Sequence, residues 1–161
     1  ADAGRLVMAR EIVRLDLLVQ ALAETYQSKV IACGITLKIG PSEGAEVFGD
    51  ERWLYQLVGN LLDNALKFTP RGGTVCVGVT RSKQFAILDI IDSGPGIPED
   101  SLERIFERFH QVDPSRTLSQ KQGSGLGLAI ADWIVKSHGG RITVVNQPEA
   151  GAHFTVALPL Q

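Results

Sequence analysis

Between Leu15 and Lys29 the apolar residues Leu15, Leu18, Val19, Leu22 and Tyr26 recur every three or four positions, which predicts an amphipathic helix. Gly34 ends that region, and Ile35-Thr-Leu-Lys-Ile39 then alternates apolar with polar as a half-buried strand does. Gly40-Pro41 is expected to close the strand. A short apolar piece at Val47-Phe48 leads to Gly49-Asp50, where Asp50 is placed to cap a helix. That helix carries Leu54, Leu57, Val58, Leu61, Leu62 and Ala65 on one face, a stripe that must pack on a core. It stops at Thr69-Pro70, because a proline disfavours helical backbone in the residue before it.

Gly72-Gly73 turns the chain into the β-branched run Thr74–Thr80, and Arg81–Gln84 reads as a hairpin loop before the strand Phe85–Ile91. A polar stretch follows from Asp92 to Gln122, with one short helical piece expected around Leu102–Phe109. The helical pattern resumes from Leu126 to about Lys136, and His138-Gly-Gly140 ends it as a glycine C-cap. Arg141–Asn146 and Ala152–Leu158 form a last hairpin across residues 147–151. The predicted class is α/β, with a largely antiparallel sheet and its helices on one face.

Composition narrows this only a little. The 161 residues are most simply one domain with a real core, and 44% hydrophobic with 21% charged residues is ordinary for a globular protein. A net charge of −2 offers no basic surface to nucleic acid. No apolar run approaches the roughly 18 residues of a membrane span, and residues 1–6 have no signal-peptide pattern. The chain starts without a methionine, as expected of a piece of a longer protein. Cys33 and Cys76 lack a disulfide rhythm and are expected to be buried, reduced thiols of a cytosolic protein.

Chemistry concentrates in three places. Asn60, Asn64 and Lys67 fall at spacings of four and three, so they share one narrow helix face opposite the apolar stripe. Asparagine carbonyls are hard oxygen ligands suited to Mg²⁺, and a lysine is a point charge suited to phosphate. Asp92-Ser-Gly-Pro-Gly-Ile97 follows a strand directly. Its carboxylate suits an exocyclic amino group such as adenine N6, and Gly94 and Gly96 let a flat ring approach the backbone; by itself the run is equally a tight surface turn. Gly123-Ser-Gly-Leu-Gly127 opens a helix and offers free N–H groups to an anion. It is neither a Rossmann loop, which needs a strand just before it, nor a Walker loop, which ends in Gly-Lys-Ser/Thr. The polar segment 99–122 reads as a lid, with Arg108, Arg116 and Lys121 as cations that either reach phosphates or face water, and Phe106 and Phe109 as its anchors.

In this order, the asparagine helix, Asp92–Ile97, Phe106-Glu-Arg-Phe109 and Gly123–Ile130 resemble the N, first G, F and second G boxes of sensor histidine kinases. The resemblance runs from about Leu15 to Leu160. It implies the Bergerat sandwich of the GHKL ATPases, a mixed sheet covered on one face by helices, with Mg·ATP under a mobile lid. By position it implies Asn64 as the Mg²⁺ ligand with Asn60 beside it, and Asn60, Lys67 and Arg116 as the catalytic groups. The implied nucleotide site is Asn60, Asn64, Lys67, Phe68, Asp92, Gly94, Gly96, Ile97, Phe109, Gly123, Ser124, Gly125, Leu126 and Gly127. Residues 15–161 are then the catalytic domain, and residues 1–14 a linker or the tail of a preceding helical region.

Two departures from the wider superfamily matter. Gyrase- and MutL-like members carry a water-activating glutamate where this chain has Asn60, and an amide is no general base. The resemblance therefore implies ATP held for transfer to a histidine. None of His110, His138 and His153 has the context of the phosphorylated histidine, so each is expected to be structural. The implied partners are the dimerisation and histidine phosphotransfer domain of the same protein, within a homodimer, and downstream a response regulator receiver domain. The chain itself is expected to be a monomer, cytoplasmic and part of a membrane-anchored sensor. The competing readings are a nucleotide-binding regulatory module that never transfers phosphate and a GHKL protein-serine kinase.

Overall fold

The computed structural model describes residues 7–107, 126–148 and 151–161. In chain order the elements are β1 (Glu11–Arg14), α1 (Leu15–Ala32), β2 (Thr36–Ser42), β3 (Glu46–Gly49), α2 (Glu51–Phe68), β4 (Thr74–Arg81), β5 (Phe85–Asp92), a 3₁₀ turn (Glu99–Ser101), α3 (Gly127–Ser137), β6 (Arg141–Asn146) and β7 (Ala152–Pro159). Five strands form one sheet in the order β2-β4-β5-β7-β6, and β1 with β3 forms a separate two-stranded ribbon. Only β2 and β4 run parallel; the other pairs of the five-stranded sheet are antiparallel. The three helices lie side by side on it, α1 over β2 and β4, α2 over β5 and α3 beside β6. This is the expected mixed sheet with helices on one face.

Period-two alternation builds the core. Val75, Val77 and Val79 of β4, Ala86, Leu88 and Ile90 of β5 and Phe154, Val156 and Leu158 of β7 are buried against the helices. From α2 come Leu54, Leu57, Val58, Leu61, Leu62 and Ala65, all of them buried as their spacing requires. Burial of each such leucine contributes about 1.5–3 kcal/mol. Asp92 extends the buried row of β5, so its carboxylate lies on the helix side of the sheet.

The ends of α2 are set by its own residues. Asp50 has extended backbone and accepts from the N–H groups of Arg52 (2.9 Å) and Trp53 (3.4 Å). At the other end Thr69 is extended (φ −92°, ψ 123°), as the following proline demands. The neighbouring helices are pinned to α2 at both ends. Asp63 accepts from Tyr26 Oη and Lys29 Nζ of α1, each at 2.9 Å. Trp53 and Trp133 meet edge to face at 5.1 Å between α2 and α3.

Four expectations change. A strand, β1, precedes α1; its Arg14 hydrogen-bonds Asp16, which with burial opposing it holds that carboxyl below the ordinary aspartate range. Strand β2 continues through Gly40-Pro41 to Ser42, with a register shift between Ile39 and Ser42, because an edge strand tolerates a proline. The described part of the piece expected to be helical around Leu102–Phe109 makes i→i+3 bonds, Arg104 N–H to Ser101 O and Glu107 N–H to Arg104 O, the tighter geometry usual in short pieces. Finally, the free Cys33 is exposed at the C-cap of α1 and Cys76 is half-buried, since it alternates with the buried Val75 and Val77. Phe106 behaves as expected, half-buried and edge to face with Phe154 at 6.2 Å.

Candidate nucleotide site

The site begins with α2. Asn60, Asn64 and Lys67 are half-buried on the face away from the core stripe. The Asn60 amide is held at both ends: its Nδ2 donates to the Gly127 carbonyl at 3.1 Å, and its Oδ1 accepts from Gln56 Nε2 at 2.7 Å. The Asn64 amide, by contrast, has no hydrogen-bond partner among the described residues. Partial burial pushes the Lys67 ammonium below the ordinary lysine value, and its Nζ lies 5.3 Å from the centre of the Phe68 ring. A phosphate beside it would favour the charged form.

Asp92 supplies the floor. It is 5% exposed, and burial pushes its carboxyl above the ordinary aspartate range despite N–H donors from Gly94 (2.9 Å) and Ala152 (3.3 Å). Both donors go to Oδ1. Oδ2 has no partner among the described residues, so a buried acceptor is left waiting for a donor. Gly94 presses against the end of α2, where a Cβ would stand 2.6 Å from the Phe68 carbonyl oxygen. That contact places Asp92 at the end of the helix that carries Asn64 and Lys67.

Sequence reasoning missed the residue that shapes the turn after Asp92. Gly96 has φ +84°, a glycine conformation, and a Cβ there would approach Asn146 Oδ1 at 2.9 Å. Asn146, at the end of β6, accepts from the Ile97 N–H and donates to the Ile97 carbonyl, both at 2.8 Å. One side-chain amide thus replaces a backbone ladder pair and holds the turn onto the sheet. Asn146→Ala is expected to weaken nucleotide affinity by about three- to tenfold, the worth of roughly 0.5–1.5 kcal/mol of hydrogen bonding, as calorimetric titration with a non-hydrolysable ATP analogue would show. Unchanged affinity would mean that the turn holds itself.

The remaining expected site residues divide. Gly127 opens α3, and Leu126 precedes it as the helix N-cap. Arg108, Phe109, His110, Arg116, Lys121, Gly123, Ser124 and Gly125 lie outside the described residues. His138 is structural as expected: its Nδ1 donates to the Ile134 carbonyl (2.8 Å) and its Nε2 accepts from the Asp50 N–H (3.1 Å), joining the end of α3 to the start of α2. His153 faces away from the helices and pairs with Asp89 at 2.7 Å. Among the described residues no group of three His, Cys, Asp or Glu could hold a metal ion by itself. A Mg²⁺ here fits only as Mg²⁺ commonly binds, through few protein oxygens and the phosphates of its nucleotide. Asn64 offers such an oxygen. Among the described residues no helix is long and apolar enough to cross a membrane.

Comparisons with known proteins bear on the family and the fold. Residues 49–161 match the family described as "Histidine kinase-, DNA gyrase B-, and HSP90-like ATPase". The chain is 35% identical over its whole length to the signal transduction histidine-protein kinase BaeS of Escherichia coli, of which it covers 34%. It therefore spans about a third of the length of that curated relative. Among solved structures it is similar to the mycobacterial sensor histidine kinase MprB, with a TM-score of 0.82 and 33% identity over 95% of this chain and 99% of that one. Full-length ShkA in complex with AMPPNP matches with a TM-score of 0.82 and 29% identity, over 96% of this chain and 32% of ShkA. Histidine kinase ThkA in complex with the response regulator TrrA matches with a TM-score of 0.79 and 25% identity, over 94% of this chain and 42% of ThkA. The chain belongs to the histidine kinase-, DNA gyrase B- and HSP90-like ATPase family, in the form taken by the catalytic domains of sensor histidine kinases.

Proposed function

We propose that the chain binds Mg·ATP between α2, the end of β5 and α3, and donates the γ-phosphate to a histidine on a separate dimerisation domain. The observation that carries this reading is the buried Asp92, one of whose carboxylate oxygens has no partner among the described residues, beside the helix end that bears Asn64 and Lys67. Asp92 Oδ2 accepts from the adenine amino group while the Gly94–Ile97 turn, clamped by Asn146, leaves room for the ring. Lys67 holds phosphate, and Asn64 holds the Mg²⁺ that neutralises phosphate charge when bound. Arg116 and the Gly123–Gly127 run belong to the phosphate end of the same site.

Asn60 explains why the phosphate is kept. An amide whose two ends are tied to Gln56 and Gly127 can take no proton from water. The acceptor must then bring its own nucleophile. An imidazole nitrogen attacks the γ-phosphorus in line, a P–N bond forms, and the bond to the bridging oxygen breaks with ADP leaving. His138 and His153 are engaged in structural contacts, which speaks against either of them as the acceptor. Residues 1–14 then link to that acceptor region, the whole protein is a homodimer in the cytoplasm at the membrane, and a response regulator receives the phosphate.

The test is transfer from γ-labelled ATP. Alone, the chain is expected to retain bound nucleotide and label itself negligibly. With a histidine-bearing dimerisation domain added in trans, acid-labile label appears on that domain. Tight binding with no label under any pairing would make the chain a regulatory module, and acid-stable label would make it a serine kinase.

A further inference from the structure

One polar residue on the exposed side of α2 is left unused by the proposed site. Gln56 stands one turn before Asn60, and its Nε2 donates to Asn60 Oδ1 at 2.7 Å. The direction of this contact is fixed from the other end. The Gly127 carbonyl can only accept, so Asn60 must turn its NH₂ toward α3. Its carbonyl then points back along α2, where Gln56 donates to it. A Cβ on Gly127 would meet no described atom within 4 Å, so crowding does not require the glycine. What α2 uses at that position is a backbone oxygen.

We propose that Gln56 is a positioning residue: by steadying the Asn60 amide in the orientation that Gly127 selects, it helps tie the first turn of α3 to the face that carries Asn64 and Lys67. The inference rests on the nucleotide-site reading above, and it concerns a residue that touches no nucleotide in it. The relay spans 67 residues of sequence between Asn60 and Gly127 and joins the two walls of the phosphate end. Without the Gln56 donor the Asn60 side chain loses the contact that steadies its rotamer, and its hydrogen bond to the Gly127 carbonyl is held less firmly. The tie between the first turn of α3 and α2 is then looser before nucleotide arrives, and binding must restore that order.

The experiment compares Gln56→Met and Gln56→Glu with the unaltered chain. Methionine keeps length and neutrality without the donor; glutamate keeps shape but replaces the donor with an acceptor. Calorimetric affinity for Mg·AMPPNP is expected to fall about three- to tenfold in Gln56→Met, the loss of one exposed relay, and further in Gln56→Glu at salt high enough to screen its charge. Melting temperature without nucleotide should not move, because Gln56 is exposed. In nitrogen-edited NMR of the nucleotide-free chain, the Asn60 NH₂ pair should exchange with water faster in both variants. If both variants bind Mg·AMPPNP as the unaltered chain does, or lose affinity only in step with melting temperature, the inference is overturned. An unaltered chain that binds no Mg·AMPPNP overturns the nucleotide-site reading and the inference with it, whereas normal binding with insensitive variants overturns the inference alone.

Discussion

Asn64→Ala is expected to abolish the Mg²⁺ dependence of nucleotide binding and to lower phosphotransfer by about 10²–10³-fold, the scale on which a single preorganised charge-stabilising group acts. The fold should not suffer. Asn64 is half-buried and its amide has no partner to lose among the described residues. Alanine is also the better helix former by roughly 0.5 kcal/mol, so the melting temperature should hold or rise slightly. The decisive measurement is AMPPNP affinity with Mg²⁺ and with a chelator. The unaltered chain should bind far more tightly with the metal, and the variant equally weakly in both. Were the variant to keep a full response to Mg²⁺, the ligand would be another residue. Asn60 would be the first candidate, with the Oδ1 that now accepts from Gln56 as the ligand atom.

Asp92→Asn should separate stability from binding. Burial raises the Asp92 carboxyl above its unfolded value, so the folded chain binds a proton more readily than the unfolded one. The stability this confers is fully present below the unfolded aspartate value and is lost as pH rises through the raised folded value. At neutral pH the carboxylate is therefore a cost to the fold. An asparagine can still accept from Gly94 and Ala152, so the variant should melt higher than the parent at neutral pH, with the difference closing in acid. Affinity should fall in the opposite sense. An amide that presents its NH₂ toward the adenine amino group loses a charge-assisted bond of about 1.5–3 kcal/mol, roughly 10- to 100-fold. Denaturant titration across pH checks the first half and calorimetry the second. A variant that melts lower at neutral pH would show that the carboxylate is needed by the fold itself.

Much of this site could be read from the sequence because local rules place it. A cap at Asp50 and a proline at position 70 bracket α2, and one helical period sorts its residues into core stripe and polar face. Period-two alternation in β5 carries the buried row Ala86, Leu88, Ile90 on to Asp92, which fixes the side on which the carboxylate lies. What could not be read is pairing at a distance. Nothing near Asn146 announces that it will clamp Ile97, 49 residues earlier, and nothing near Gln56 announces a chain of bonds ending at Gly127. Strand β1 escaped because Val13 is its only buried residue, too little for a period to register. Pro41 misled because its effect depends on sheet position: only an edge strand accepts it, and edge placement is settled by strand order.

Strand order also constrains how the protein can be made. β7 follows β6 in sequence yet lies between β5 and β6. Until residues 152–159 have left the ribosome, β5 lacks its second neighbour and β6 has none, and the last four strands cannot close into a sheet. A nascent chain halted in the turn before β7 would present the free edge of β5, with Leu88 and Ile90 on one side and Ile87 and Ile91 on the other, to any extended chain nearby. The proposed adenine contact would be unfinished at the same moment, because the Ala152 N–H that steadies Asp92 belongs to β7. Closure of the proposed nucleotide site around Asp92 therefore waits on synthesis through β7.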